Sequence, residues 1–388
     1  MGKVLNGEVE AKFSEKKVRR VAFLVYASAV IALYFWNPAV SAPRRLIVFH
    51  TNDIHGRVSS APSSGGGEWV GGFPVLAAFL AEQSRPYLLL DAGDFYQGTP
   101  EGNLTRGDAA VDGMNAVGYD AAAVGNHEFD DGVENLARLA GAAEFPLLCA
   151  NVTDRRAPSR LAALRPWVLK EVDGVKVGVF GLISRRTSEM VFAKNVADLT
   201  FADEAAAARR AVEELRRQGA DIVIALSHLG YEQADKPPAA EESAADDQTL
   251  ALSVDGIDLI VGGHSHTPLF AGRRVGKTWV VQAGTGLRWI GRVILSWDGR
   301  TKKIVGVRSR LIPLDRDRWG EEPNVAALMR YYREAASRTL GRDLEEVVGT
   351  LQEPLKRNYR GESSSGDWHA DVLRAFAGAD VAFHNSGG

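Results

Sequence analysis

The chain has 388 residues, 45% of them hydrophobic and 24% charged, with a formal net charge of −3. That is ordinary globular composition, long enough for one large α/β domain plus part of another. The charge makes no case for a basic nucleic-acid-binding surface, so no nucleic acid polymer is expected as a partner. The single cysteine, Cys149 in FPLLCAN, forbids a disulfide framework and reads as a small buried hydrophobe.

Lys12, Lys16, Lys17, Arg19 and Arg20 precede the uncharged run VAFLVYASAVIALYFW, 21–36. The run is near the lower limit for a spanning helix and suits the apolar core of a secretory signal. Val40-Ser41-Ala42 has the small-x-small form of a cleavage site, although Pro43 follows it. Residues 1–42 are therefore expected to be a signal peptide or an uncleaved N-terminal anchor. Either way the remainder lies outside the cytoplasm, and any membrane association runs through this segment alone.

After Arg45, short apolar runs alternate with helical stretches. LIVFH (46–50), YLLLD (87–91), DAAAV (120–124), VKVGVFGLI (175–183), DIVIALSH (221–228) and IDLIVGG (257–263) read as buried strands. FPVLAAFLAEQ, VENLARLAGAA and FADEAAAARRAVEELRRQG read as amphipathic helices. The alternation implies sheets covered by helices. SAPSSGGGEWVGG (60–72) and ADKPPAAEESAADD (234–247) read as loops. From KTWVVQAG onward the pattern changes, and Asp298-Gly299 between two alternating runs is a hairpin signal. EEPNVAALMRYYREAASRTLG (321–341) has Pro near its start and Gly at its end, as a helix should. About 45 residues follow, too few for a separate domain of this kind.

Nearly every strand ends in a metal-ligating residue type. LIVFHTNDIH delivers Asp53 and His55, YLLLDAGD delivers Asp91 and Asp94, and AAAVGNH delivers Asn126 and His127. IVIALSH delivers His228, and LIVGGHSH delivers His264 and His266. In open α/β sheets the carboxyl ends of strands form the site, so these loops are expected to converge on one rim. His264 and His266, two apart, would share a face in an extended strand. Imidazoles, carboxylates and one amide without thiolates suit Zn²⁺, Mn²⁺ or Fe better than Ca²⁺ or Mg²⁺. Seven ligands, Asp53, His55, Asp94, Asn126, His228, His264 and His266, overfill one tetrahedral site and suit two cations bridged by a carboxylate. Glu128 and Asp91 read as hydrogen-bonding supports, and Gln282 in VVQAGT as a structural residue behind the rim.

TNDIHGR, DAGDFYQGT, GNHEFDDG, SHLG and GGHSH together resemble the calcineurin-like metallophosphoesterases, and more closely the exported two-domain 5′-nucleotidase family, over roughly residues 45–388. The resemblance implies a four-layer α/β/β/α sandwich at 43–318, a linker helix at 319–342 and the beginning of a truncated α/β C-terminal domain at 343–388. It implies two divalent cations, Zn²⁺ or Mn²⁺, with Asp94 as the bridging ligand. Asp53, His55 and His266 would complete one metal site, and Asn126, His228 and His264 the other. His127 would be the catalytic histidine and Asp130 its partner. The implied substrate is a small phosphoester, a 5′-nucleotide first. Cyclic 2′,3′-nucleotides, UDP-sugars or a sulfur-compound ester are the enzymatic alternatives, and a weakly active metal-binding fragment is the non-enzymatic one. In the family the C-terminal domain holds the nucleoside through aromatics and arginines beyond the point where this sequence stops. RGESSSGDWHAD also departs from the family pattern, with Asp367-Trp368 where many members carry Asn and an aliphatic residue or Phe.

Overall fold

The computed structural model describes residues 43–63, 67–83, 86–231, 246–356, 358 and 361–384. The expected signal or anchor segment and most of the expected polar loop at 234–247 lie outside the described residues. Twelve strands build two mixed sheets. The first sheet contains β1 (Arg44–Thr51), β2 (Tyr87–Asp91), β3 (Ala121–Ala123) and β4 (Leu147–Leu148). The second contains β5 (Trp167–Val172), β6 (Val175–Ile183), β7 (Ile222–His228), β8 (Leu259–Gly262), β9 (Arg273–Val275) and β10 (Thr278–Val281). The hairpin β11 (Trp289–Asp298) and β12 (Lys303–Pro313) returns to the first sheet. The orders are β12-β11-β1-β2-β3-β4 and β9-β10-β8-β7-β6-β5. β1 to β4 run parallel, as do β6, β7, β8 and β10, so their carboxyl ends emerge on one side.

Strand alternation sorts the side chains into layers. On β1, Leu46 and Val48 point between the sheets, where they join Leu88, Leu90, Val177, Ile224 and Val261. Ile47 and Phe49 point the other way, toward α1 (Phe73–Ala81), α2 (Asp108–Val117) and α3 (Val133–Ala142). Val223, Ala225 and Ile260 face α4 (Glu204–Arg217) and α5 (Asp247–Ser253) on the far side. Burial on both faces is why these strands read as continuous apolar runs. The result is the four-layer α/β/β/α sandwich, and Cys149 is buried within it.

Two elements differ from the sequence reading, and a third, the expected helix at 321–341, is present. The Gly-rich segment at 60–72 contains a small hairpin, Ala61–Pro62 against Trp69–Val70, rather than loop alone. β5, an antiparallel edge strand of half-buried residues, gave no continuous apolar run to detect. The helix expected as a linker, α6 (Pro323–Leu340), begins at the Glu322 cap and ends at left-handed Gly341. It lies against α1 and α2 with Val325, Met329 and Ala336 buried, and Arg333 pairs with Glu101 at 3.0 Å. The next helix, α7 (Ser364–Ala377), has no buried residue, and its Phe376 is 92% exposed.

One close approach inside the sandwich is specific to its residues. His50 is wholly buried between the sheets, paired in register with Gly291, and a Cβ at position 291 would collide with the imidazole. Burial lowers the His50 pKa to about 3, so the ring is neutral. Gly291→Ala is expected to cost about 1–3 kcal/mol through overpacking, and adding His50→Ala should recover part of it. Urea unfolding of the two single variants and the double variant reads the coupling. Simple additivity would show that the two positions do not oppose each other.

Candidate metal centre

The rim is built where five strands stop. β1, β2 and β3 contribute from the first sheet, and β7 and β8 from the second. The loops after β1 and β2 stay zipped: Asp53 N donates to Gly93 O at 2.9 Å, and His55 N to Asp94 O at 3.0 Å. The two sheets are joined at the rim by His264 N, which donates to the Asp53 carboxylate at 3.0 Å. His127 N donates to Asp94 Oδ1 at 2.9 Å. Glycine is required where the loops cross: a Cβ on Gly125 would strike the Asp94 carboxylate, and one on Gly263 would press on Ala92 O and the His228 ring.

Two overlapping sets of ligand atoms converge. Asp53, His55 and His266 form one, and Asp94, His228 and His264 the other. Asn126 belongs with the second, its Oδ1 3.0 Å from His264 Nδ1. His55, Asp94 and His127 form a further overlapping group, so Asp94 stands between the sets. His55 Nδ1 lies 2.8 Å from Gln97 O and His228 Nδ1 lies 2.7 Å from Ala92 O. A carbonyl only accepts, so each Nδ1 carries the proton and each Nε2 turns its lone pair inward. His55 Nε2 then sits 2.9 Å from His266 Nε2. His228 Nε2, which has no hydrogen-bond partner among the described residues, sits 3.0 Å from Asp94 Oδ2. Lone pairs held this close repel unless a positive charge lies between them, so this donor set fits cations. A proton fills the same place as a cation: burial opposes charge on His228, yet the Asp94 carboxylate raises its pKa to about 10, so Nε2 carries a proton facing Asp94 Oδ2 until a cation replaces it. Burial likewise opposes charge on Asp94, yet His228 holds that carboxyl well below its usual range.

The backbone is strained at the same residues. Nine non-glycine residues have positive φ among those described, and five are Asp53, His55, Asp94, His264 and His266. Left-handed conformation costs about 1–2 kcal/mol at a non-glycine residue and clusters at functional sites. It also corrects one expectation. β8 ends at Gly262, and His264 (φ 72°) and His266 (φ 55°) lie in a coiled loop, not an extended strand. They do not share a face; they serve the two different ligand sets.

His127 stands beside the ligand atoms. Its Nδ1 is 2.6 Å from Asp130 Oδ2, which leaves Nε2 free. Burial disfavours its charge, but the Asp130 hydrogen bond and the Asp94 carboxylate raise its pKa to about 9. Glu128, fully buried, accepts from the backbone N–H of Asp94 (2.8 Å), Phe95 (2.9 Å) and Gly125 (2.6 Å), and so ties the β2 loop to the β3 loop. Asp91 accepts from Thr51 Oγ1 at 2.7 Å and Gly93 N at 2.8 Å. Gln282 clamps the histidine loop, donating to Gly263 O at 2.9 Å and accepting from Ser265 Oγ at 2.9 Å and from Thr267 N. Two supports had escaped notice in the sequence. Asn52 bonds Asp53 and both backbone partners Ala283 and Gly284; a polar residue beside Asp53 at a buried strand end was its available signal. Asn195 donates to Asp130 O at 2.5 Å, and nothing local in the sequence marks it.

Residues 46–268 match the family described as calcineurin-like phosphoesterase. The chain belongs to that family. Calcineurin-like phosphoesterases are metal-dependent phosphoester hydrolases with two divalent cations, and the rim supplies a matching donor set. The chain is 36% identical over 242 residues to a 5′-nucleotidase of Diplobatis ommata, covering 60% of this chain and 39% of that one. It is 29% identical over 376 residues to endonuclease YhcR of Bacillus subtilis (strain 168), covering 90% of this chain and 30% of that one. The crystal structure of a 5′-nucleotidase precursor from Thermus thermophilus superposes with a TM-score of 0.74 at 27% identity, covering 86% of this chain and 68% of that one. The chain thus spans well under half of the length of these two curated relatives.

Glu128→Ala would strip the acceptor from three buried N–H groups. At about 1–3 kcal/mol for each unsatisfied donor, stability should fall by at least about 3 kcal/mol. A loss below about 1 kcal/mol in urea unfolding would show that the two loops hold together without it.

Proposed function

We propose that this chain hydrolyses phosphate monoesters, 5′-nucleotides first, to an alcohol and inorganic phosphate, outside the cytoplasm. The observation that carries the reading is the pairing of two ligand sets around Asp94 with the His127–Asp130 pair beside them. Support for nucleotides comes from the relatives named 5′-nucleotidases. Support for export comes from the basic residues and uncharged run at 12–36. In this reading Asp53, His55 and His266 would hold one cation, Asn126, His228 and His264 would hold the other, and Asp94 would contribute to both. When bound, the cations neutralise the phosphoryl oxygens and make the attacking water more acidic.

The chain's own residues do the rest. Carbonyls Gln97 O and Ala92 O fix the donor nitrogens of His55 and His228, so no rotamer search precedes binding. His127, with Nδ1 held by Asp130, presents Nε2–H. With its pKa at about 9 the ring is an imidazolium at neutral pH. It is placed to stabilise the equatorial oxygens and to give its proton to the leaving oxygen as the P–O bond breaks and the bond to water forms. Asp130 keeps the ring in the required orientation and charge state.

Three measurements test this. Purified chain with Mn²⁺ should release phosphate from AMP faster than from cyclic 2′,3′-nucleotides, UDP-sugars or thiosulfonates; preferential cleavage of a cyclic ester would overturn the substrate assignment. His127→Ala should lower kcat by about 10²–10⁴-fold with bound metal unchanged, whereas Asp94→Ala should lower metal content; loss of metal from His127→Ala would make that residue a ligand. Activity should fall as pH rises through the His127 pKa. Asp130→Asn removes the hydrogen bond that contributes most to raising this pKa, so the alkaline limb should move to lower pH. An unmoved limb would mean that another group sets it.

A further inference from the structure

Away from the rim, a cavity of about 590 Å³ lies where the β9–β10 edge of the second sheet meets the β12 edge of the first. Arg292, Arg308 and Arg310 line it from the hairpin, and Trp279 from the facing sheet. Arg292 stands directly opposite Arg310 in the β11–β12 ladder, and Arg308 is two residues from Arg310 on the same strand. The three side chains therefore share one face of the hairpin. Ser309, between two of them, also lines the cavity, which thus wraps the free edge of β12. Like charges directly opposite each other destabilise a sheet, and burial and Arg310 both disfavour the charge on Arg292. Among the described residues, no carboxylate lines the cavity, and none of the three guanidinium groups has an acidic partner. Arg292 Nε is buried and has no hydrogen-bond partner among those residues.

Basic residues on an edge strand hinder edge-to-edge pairing of sheets, which accounts for Arg308 and Arg310 on β12. It does not account for Arg292, because β11 is paired on both sides, with β1 and with β12. The adjoining cavity differs: Lys302 and Lys303 line it together with Asp221 and Asp258, and Asp258 is held by Arg216 at 2.7 Å. We infer that the arginine-lined cavity binds a small soluble polyanion, one bearing two or more phosphate- or sulfonate-type groups. Guanidinium forks donate in pairs to the oxygens of such groups and stay charged at any physiological pH. The Nε–H of Arg292 is the innermost donor, and the free edge of β12 adds unpaired backbone N–H groups. The cavity shares no lining residue with the metal centre, so the inference stands apart from the proposed reaction.

The test uses the full chain loaded with Mn²⁺. Binding of naphthalene-1,3,6-trisulfonate and naphthalene-1-sulfonate is compared by calorimetry; neither contains a phosphoester bond. The trisulfonate should bind at least about tenfold more tightly. Arg308→Gln with Arg310→Gln should bring the two within about twofold. Both residues are exposed, so this double variant should fold, which urea unfolding checks. Arg292→Gln should weaken the trisulfonate by about tenfold. Lys302→Gln with Lys303→Gln removes as much charge from the adjoining cavity, and should change the affinity by less than about threefold. An equal loss from the lysine pair would assign binding to general surface charge and overturn the site. A trisulfonate that does not bind, or a preference that survives the arginine substitutions, also overturns it. Phosphatidylglycerol vesicles should not displace the trisulfonate; displacement would make the ligand a lipid surface and sink the assignment to a soluble anion.

Discussion

The rim confines several lone-pair donors and two buried carboxylates to a few ångströms, and the rest of the molecule follows from that constraint. Asp53 and Asp94 are both essentially buried, and imidazole nitrogens face each other or a carboxylate at about 3 Å. A flexible chain would relax such a cluster. Here it persists because each loop leaves a strand whose two faces are packed, one between the sheets and the other under helices. Positive φ at five donor-bearing residues shows where the cost resides: the sandwich supplies the stability, and the rim consumes some of it.

Legibility in the sequence tracked burial on two faces. β2 and β6 match their apolar runs residue for residue, and β1, β7 and β8 differ from theirs only at the ends, because doubly buried strands need continuous Val, Leu and Ile. β5 and the small hairpin at 61–70 are half-exposed, so composition dilutes their signal. The candidate ligands were legible because a polar residue directly after a buried strand is costly without a purpose. Their conformations were not. Spacing by two suggested a shared face for His264 and His266, but spacing carries information only in regular backbone, and left-handed residues reverse the direction of a side chain.

The supports divide in the same way. Glu128 reads from the sequence as a hydrogen-bonding support, and three backbone N–H groups hold it. Gln282 and Asn52 work across long sequence distances, joining the β10–β11 connection to the histidine loop and to Asp53. A local window marks each as a polar residue at the end of a strand, but their partners follow from how the two sheets stack. A cavity beside His127 is similar: Tyr96, Asp130 and Phe192 come from three separate segments, and only the fold makes them neighbours.

The central strand β1 has a mechanical consequence. It begins at Arg44, seven residues before its carboxyl end at Thr51, and Asp53 lies two residues past that end. At about 3.3 Å per residue the two ends of the strand stand about 23 Å apart. Pairing on both sides, with β2 and β11, makes this strand a stiff strut. The candidate ligand cluster therefore lies at the pole of the sandwich opposite Arg44, and its mouth opens away from where β1 begins.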